Sequence, residues 1–120
     1  MRHTVSIKEN RVFRQLYARG RSRVDRYLAV YCRRNRLGCN RLGLTVSAKL
    51  GCAVERNRIR RRLREAYRLQ EDRLKPGYDL VIVARSRAVN ADYHTLEQSL
   101  TDLLTQLDLR LPDAAGDRAQ

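Results

Sequence analysis

The stretch RLGLTVSAKLGCAVERNRIRRRLREAYRL, residues 41–69, changes its periodicity halfway along, and that change decides the fold. From Arg41 to Ser47 the faces alternate: Leu42, Leu44 and Val46 lie on one, and Arg41, Gly43, Thr45 and Ser47 on the other. A period of two with one aliphatic face is a strand laid on a core. After SAKLG the period lengthens. At 100° per residue, Ile59, Leu63, Ala66 and Tyr67 fall in one sector of a helix predicted from about Ala53 to Leu69. That sector would pack on the sheet, so strand and helix become two layers of one domain.

The other side of this helix is basic. Seven of the fourteen residues from Glu55 to Arg68 are arginine. Asn57, Arg60, Arg61, Arg64 and Arg68 recur at spacings of three and four opposite the apolar sector, Arg58 and Arg62 flank that sector on one edge, and Arg56 lies at the other. A merely solvated face would mix signs, but Glu65 is the only acid after Glu55. Like charges at Arg60–Arg64 and Arg64–Arg68 each cost a few tenths of a kcal/mol, roughly, in an isolated helix. Such a ridge reads as a polyanion-binding surface. A membrane-surface helix is excluded because the sheet needs its apolar side. Asn57 adds an amide that both donates and accepts, suited to a base edge, a 2′-hydroxyl, a metal-bound water or a local backbone bond at the helix start.

Outward from this stretch the remaining elements follow. Ser6-Ile7-Lys8-Glu9 has the form of a capping box and predicts a helix start. In that helix Val12 and Leu16 can face the core, Phe13 and Tyr17 sit on the shoulder, and Gly20 is the stop. YLAVYCR, residues 27–33, predicts a strand with Leu28, Val30 and Cys32 on one face and Tyr27, Ala29 and Tyr31 on a more open one. RNRLGCN then predicts an antiparallel hairpin between the two strands. YDLVIVA, residues 78–84, is a continuous apolar run suited to an interior strand. Asn90 or Asp92 can cap a last helix whose Leu96, Leu100, Leu103, Leu104 and Leu107 form a core stripe, with Pro112 as its end. The expected order is αββαβα, a single-domain α+β sandwich over residues 1–112 with a disordered tail at 113–120.

Charge separates the chain into two parts. Residues 1–68 hold 20 Lys/Arg against 4 Asp/Glu, while residues 69–120 hold 6 against 9. A local field of that strength serves nucleic acid or an anionic surface. The three cysteines, Cys32, Cys39 and Cys52, form no C-x-x-C, and His3 and His94 stand far from them, which argues against zinc. Cys32 and Cys52 read as buried thiols in apolar surroundings and Cys39 as a loop residue. Reduced thiols, with no signal-peptide run and no stretch of membrane-span length, predict a cytoplasmic protein.

These residues resemble a known family. RNRIRR at 56–61, preceded by GLTVSAKLGCAVE at 43–55, is similar to the signature of the bacterial ribonuclease P protein subunit. IKENRVFRQLYARGRS at 7–22 resembles that family's first helix and GYDLVIVAR at 77–85 its third strand, so the likeness spans about residues 6–108. It departs at Ala48, where a second lysine is common before Lys49, which removes one expected phosphate contact. The resemblance implies one mixed sheet with a left-handed crossover through the arginine helix, against the usual right-handed preference. It also implies a partner, a large catalytic RNA whose Mg²⁺ ions carry out the removal of the 5′ leader from precursor tRNA. Carried over, Lys49, Arg56, Asn57, Arg58, Arg60, Arg61, Arg64 and Arg68 would contact the catalytic RNA, and Phe13, Tyr17 and Tyr31 the single-stranded leader. No catalytic residue, tightly held metal, membrane or obligate protein partner is expected of the protein itself.

Two other classes stand beside this reading. A self-sufficient metal nuclease needs clustered carboxylates or histidines, and the basic half has only Glu9, Asp25, Glu55 and Glu65 at no paired spacing. A ribosomal or general RNA-binding protein fits the charge pattern alone equally well.

Overall fold

The computed structural model describes residues 2–112, so the expected tail at 113–120 lies outside the described residues. The chain forms β1 (Thr4–Ser6), α1 (Asn10–Arg19), β2 (Arg21–Val24), β3 (Leu28–Arg34), β4 (Asn40–Thr45), α2 (Ala53–Arg68), β5 (Tyr78–Ala84) and α3 (Tyr93–Gln106), with short 3₁₀ turns between some of them. One mixed five-stranded sheet has the order β1-β4-β5-β3-β2. It is the expected α+β architecture, with two short edge strands added to the predicted order.

β5 is the sheet's centre because its run of apolar residues needs cover on both faces. It pairs parallel to β4 and antiparallel to β3. This corrects the expected hairpin, since β3 and β4 do not pair and β5 lies between them. The turn signals in RNRLGCN are real, but they serve a link that passes over the start of β5. The Asn35 side chain donates to the Cys39 carbonyl (3.0 Å) and to Asp79 Oδ1 (2.9 Å), and accepts from Leu37 N (2.8 Å). Asn40 Oδ1 accepts from Tyr78 N. Asp79 is buried and binds Arg41 through two bonds of 2.7 and 2.8 Å, tying β5 to β4.

α2 and α3 cover one face of the sheet. Leu28, Val30, Cys32, Leu42, Leu80 and Ile82 meet Ile59, Leu63 and Tyr67 from α2 and the predicted leucine stripe of α3. Asp92 is the cap of α3, accepting from Thr95 N at 2.8 Å. The helix ends at Gln106, not at Pro112, because Asp108 turns into the left-handed region (φ 60) and Arg110 bridges back to Leu74. α1 covers only part of the other face, where Ile7, Val12, Leu16 and Val81 form a smaller core.

The Ser6-Ile7-Lys8-Glu9 stretch does not cap α1. Ser6 ends β1, Glu9 holds the N-cap position, and no side chain caps it. The apolar pairing of Ile7 with Val12 and Leu16 draws the chain into the sheet first, leaving Ser6 in a parallel pairing with Leu42. Gly20 does close α1, through its N–H to the Leu16 carbonyl. A Cβ there would stand 2.6 Å from that carbonyl oxygen and 2.9 Å from that of Cys32, so glycine is required by close approach. Cys52 is exposed, not buried as expected, because the residue at the start of α2 faces solvent. Cys32 is buried, and burial raises its thiol pKa, keeping it protonated and inert. No described helix is long and apolar enough to cross a membrane.

The N-terminal strand is clamped by Glu71, whose carboxylate accepts from Arg2 N (2.9 Å) and His3 N (3.0 Å). Burial opposes the ionisation of Glu71, but bonds from Thr4 and from the two amides outweigh it and hold the carboxyl below its usual range. A depressed folded pKa stabilises fully above the unfolded value and fades as pH falls through the folded one. Acidification is therefore expected to free Thr4–Ser6 before the core. NMR shifts of these residues should move toward unfolded positions while those of β5 hold.

Candidate nucleic-acid interface

α2 is anchored before it is charged. Ile59, Leu63, Ala66 and Tyr67 are almost wholly buried, and the Tyr67 hydroxyl meets the Thr4 hydroxyl at 2.9 Å. Glu55 reaches back to Cys52 N (3.0 Å), fixing the first turn. That anchoring holds Arg58, Arg61 and Arg64 outward, all exposed and none with a carboxylate partner among the described residues. Arg56 is half-buried, with its Nε buried and unpartnered. Arg62 turns the other way and donates to the Ala91 carbonyl at 2.7 Å, pinning α2 to the start of α3. Arg68 is held by Glu65 through bonds of 2.9 and 2.7 Å, and these bonds pull the Glu65 carboxyl below its usual range. The ridge is thus freest at its N-terminal two-thirds.

Asn57 Oδ1 accepts from Arg60 Nη1 at 3.1 Å. Arginine only donates, so the atom facing it must be the amide oxygen, which fixes the orientation of the side chain. Asn57 thereby positions Arg60 and turns its own NH₂ group, two donors, outward. Lys49 is exposed on the 3₁₀ turn before α2, where the Ser47 hydroxyl accepts from its backbone N–H at 3.1 Å.

The aromatic residues gather on the other side of the sheet. Phe13 lies on Gly43: a Cβ at position 43 would stand 2.6 Å from its ring, so only glycine admits the contact. Tyr17 is 43% exposed, meets Tyr31 edge-on with centroids 5.0 Å apart at 85°, and shares a 3.0 Å hydrogen bond with the Thr45 hydroxyl. These rings stand beside an open floor, since α1 leaves Val83 and Thr45 only partly covered. The two surfaces meet at the β1 edge. A pocket of about 220 Å³ there is lined by Phe13, Ile7 and Gly43 on one side and by Arg60 and Arg64 on the other.

Arg85 is a residue the sequence reading passed over. Alternation along β5 puts it on the side of Val81 and Val83, and its N–H to the Tyr27 carbonyl (2.8 Å) continues the ladder. The signal was present in GYDLVIVAR, as the first charge after an apolar run, but only the register shows which face it joins. A larger hollow of about 620 Å³, lined by Tyr27, Arg87, Asn90 and Asp92, lies near the start of α3, where Asp92 is already spent on capping. Among the described residues no group of three or more His, Cys, Asp or Glu side chains gathers to hold a metal ion.

The arrangement defines a class: small basic α+β domains that set a charged helix beside a half-open sheet face. The comparisons specify it further. The family model for ribonuclease P matches residues 1–108. The ribonuclease P protein component of Thermoanaerobacter sp. (strain X514) is 41% identical over 108 residues, covering 90% of this chain and 93% of its own. That of Clostridium botulinum (strain Loch Maree / Type A3) is 46% identical over 99 residues, covering 82% and 89%. Among solved structures, the Staphylococcus aureus RNase P protein matches with a TM-score of 0.82 at 32% identity, over 88% of this chain and 96% of its own. The Thermotoga maritima RNase P protein matches with a TM-score of 0.77 at 28% identity, over 84% and 96%. The chain belongs to the ribonuclease P protein family. It is the accessory protein of an endoribonuclease that works in tRNA processing as a ribonucleoprotein.

Proposed function

We propose that the α2 ridge grips the catalytic RNA while the open sheet face beside α1 holds the single-stranded 5′ leader of precursor tRNA. The observation that carries this reading is the junction of the two surfaces. Phe13 and Arg60 line one pocket, so a nucleic acid bound along α2 lies within reach of the rings. Aromatic platforms in a basic groove hold unpaired bases at ~1–3 kcal/mol each, with little demand on sequence. Phosphates along α2 would relieve the repulsion built into the helix. The outward NH₂ of Asn57 suits a phosphate or 2′-hydroxyl oxygen, and with its oxygen engaged by Arg60 it is poorly placed to accept from a metal-bound water.

In this reading the Mg²⁺ ions that drive phosphodiester hydrolysis belong to the RNA. Among the described residues the donor chemistry does not fit a Mg²⁺ site, since hard cations need several oxygen ligands converging at ~2 Å and no three His, Cys, Asp or Glu side chains gather there. The protein positions substrate and screens charge, and works where the catalytic RNA works, in the cytoplasm.

Reconstitution tests this. Added to the catalytic RNA at low Mg²⁺, the protein should restore cleavage of precursor tRNA, whereas protein and Mg²⁺ without that RNA should leave the precursor intact. Cleavage in the second mixture would mean a nuclease site in the protein. For the groove, Tyr17→Ala with Tyr31→Ala should weaken binding of leader-bearing precursor by roughly tenfold or more, as expected for one lost stack. Affinity for mature tRNA should not change; equal losses on both would remove the groove assignment.

A further inference from the structure

The α2 ridge does not account for the positive charge of the first half. Between Asn10 and Val54 the chain holds 11 Lys/Arg and a single acid, Asp25. Arg41 is committed to Asp79. Asp25 turns inward: its Oδ1 accepts from Tyr27 N (2.8 Å) and Leu28 N (2.9 Å), and its Oδ2 takes the Ser99 hydroxyl. It therefore forms no ion pair among the described residues, and Arg19, Arg21, Arg23 and Arg26 are all exposed around β2. Arg21 donates to the Leu107 carbonyl and lies against the Cys32 thiol, and Arg23 donates to the Ser22 carbonyl.

β2 is the terminal strand of the sheet, paired only with β3. Its register also joins it to the groove. Val24 pairs with Ala29, Ala29 with Val83, and Val83 with Thr45, so these four residues form one row on the face that carries Tyr17 and Tyr31. At about 4.8 Å per strand the row is ~14 Å long. One end is Thr45 beneath the Tyr17 hydroxyl, and the other is Val24, 52% exposed; alternation puts Arg21 and Arg23, paired with Cys32 and Val30, on the opposite face, so they flank the end of the row from across the edge. A stacked single strand at ~3.4 Å per nucleotide crosses it in about four nucleotides.

We propose that the β2 edge is a second polyanion contact, holding the phosphates of the 5′-distal leader after it leaves the aromatic groove. This rests on the reading of that groove as the leader site. The basic edge supplies charge without base readout, so it favours long leaders whatever their sequence. A competing role for charges on an edge strand is to block sheet-to-sheet aggregation, and the experiment separates the two.

The test compares the protein–catalytic RNA complex on two precursors, one with a leader of about four nucleotides and one with about twelve, lengths chosen from the ~3.4 Å repeat. Arg19→Gln, Arg23→Gln and Arg26→Gln together should cost about tenfold to a hundredfold in affinity for the long leader at 0.1 M salt, and lower its log–log salt slope by about two. The short-leader precursor should bind as before. An equal loss on both precursors, no loss on either, or aggregation without loss would overturn the edge assignment. Tyr17→Ala with Tyr31→Ala serves as the companion. If those variants leave both precursors unaffected, the groove reading fails and the route to the edge fails with it. If they weaken binding and the arginine variants do not, the edge alone fails.

Discussion

Glutamine at Arg58, Arg61 and Arg64 together will weaken binding to the catalytic RNA by about 500-fold at 0.1 M salt. The figure follows from counterion release: each phosphate neutralised on a duplex contributes about 0.9 to the log–log salt slope, hence about 0.9 of a decade at 0.1 M relative to 1 M. Three such contacts give ~2.7 decades, and the slope itself should fall by about the same number. Stability should not suffer. All three side chains are exposed without carboxylate partners among the described residues, and arginine and glutamine have nearly equal helix propensity. Relief of the Arg60–Arg64 and Arg61–Arg64 repulsions should if anything raise the melting temperature slightly. Arg68→Gln is the internal comparison, because Glu65 already holds that guanidinium in two bonds. Its loss should be clearly smaller than that of any one of the three. A filter-binding titration over a salt series reads both quantities. An unchanged slope in the triple variant would dissociate the ridge from RNA binding.

How much of this was legible in the sequence depends on whether a signal was local. The two faces of α2, the shoulder position of Phe13 and Tyr17, the interior place of β5 and the leucine stripe of α3 all follow from period and composition, and each is found as expected. The misses share one cause. The hairpin, the Ser6 cap, the helix end at Pro112 and the burial of Cys52 were each inferred from neighbours in sequence. Each was decided by a partner far along the chain or by solvent. β5 inserts between β3 and β4 because its 78–84 run outcompetes a local turn for the centre of the sheet. β1 and β2 escaped notice because three- and four-residue edge strands carry too little alternation to read. The site shows the same division. Charge and aromatic content were visible, whereas the Asn57–Arg60 and Tyr17–Thr45 bonds and the facing of Arg85 required register.

The register itself depends on one buried carboxylate, which makes Asp79→Ala the most damaging single change expected outside the leucine core. Asp79 holds the adjacent parallel strand through Arg41 and the overpassing link through Asn35. Its side chain is 10% exposed and that of Arg41 26%, so the pair is largely but not wholly withdrawn from water. Removing one partner of a fully buried pair costs ~3–5 kcal/mol, mostly by stranding the other charge. Partial access of Arg41 to solvent moves the expectation to the lower end, about 2–3 kcal/mol, or a fall of roughly 8–15 °C in the melting temperature of a domain this size. Asp79→Asn should cost less than Asp79→Ala, since an amide oxygen can still accept from Asn35 or Arg41. Arg41→Met placed on Asp79→Ala should recover part of the loss, because it removes the stranded guanidinium while keeping its apolar stem. A double variant no more stable than Asp79→Ala alone would mean that the damage comes through Asn35 and the link instead. Either way the groove should report the break, for Arg41 and Asp79 stand two residues from Gly43 and Val81, the floor on which Phe13 and Leu16 rest.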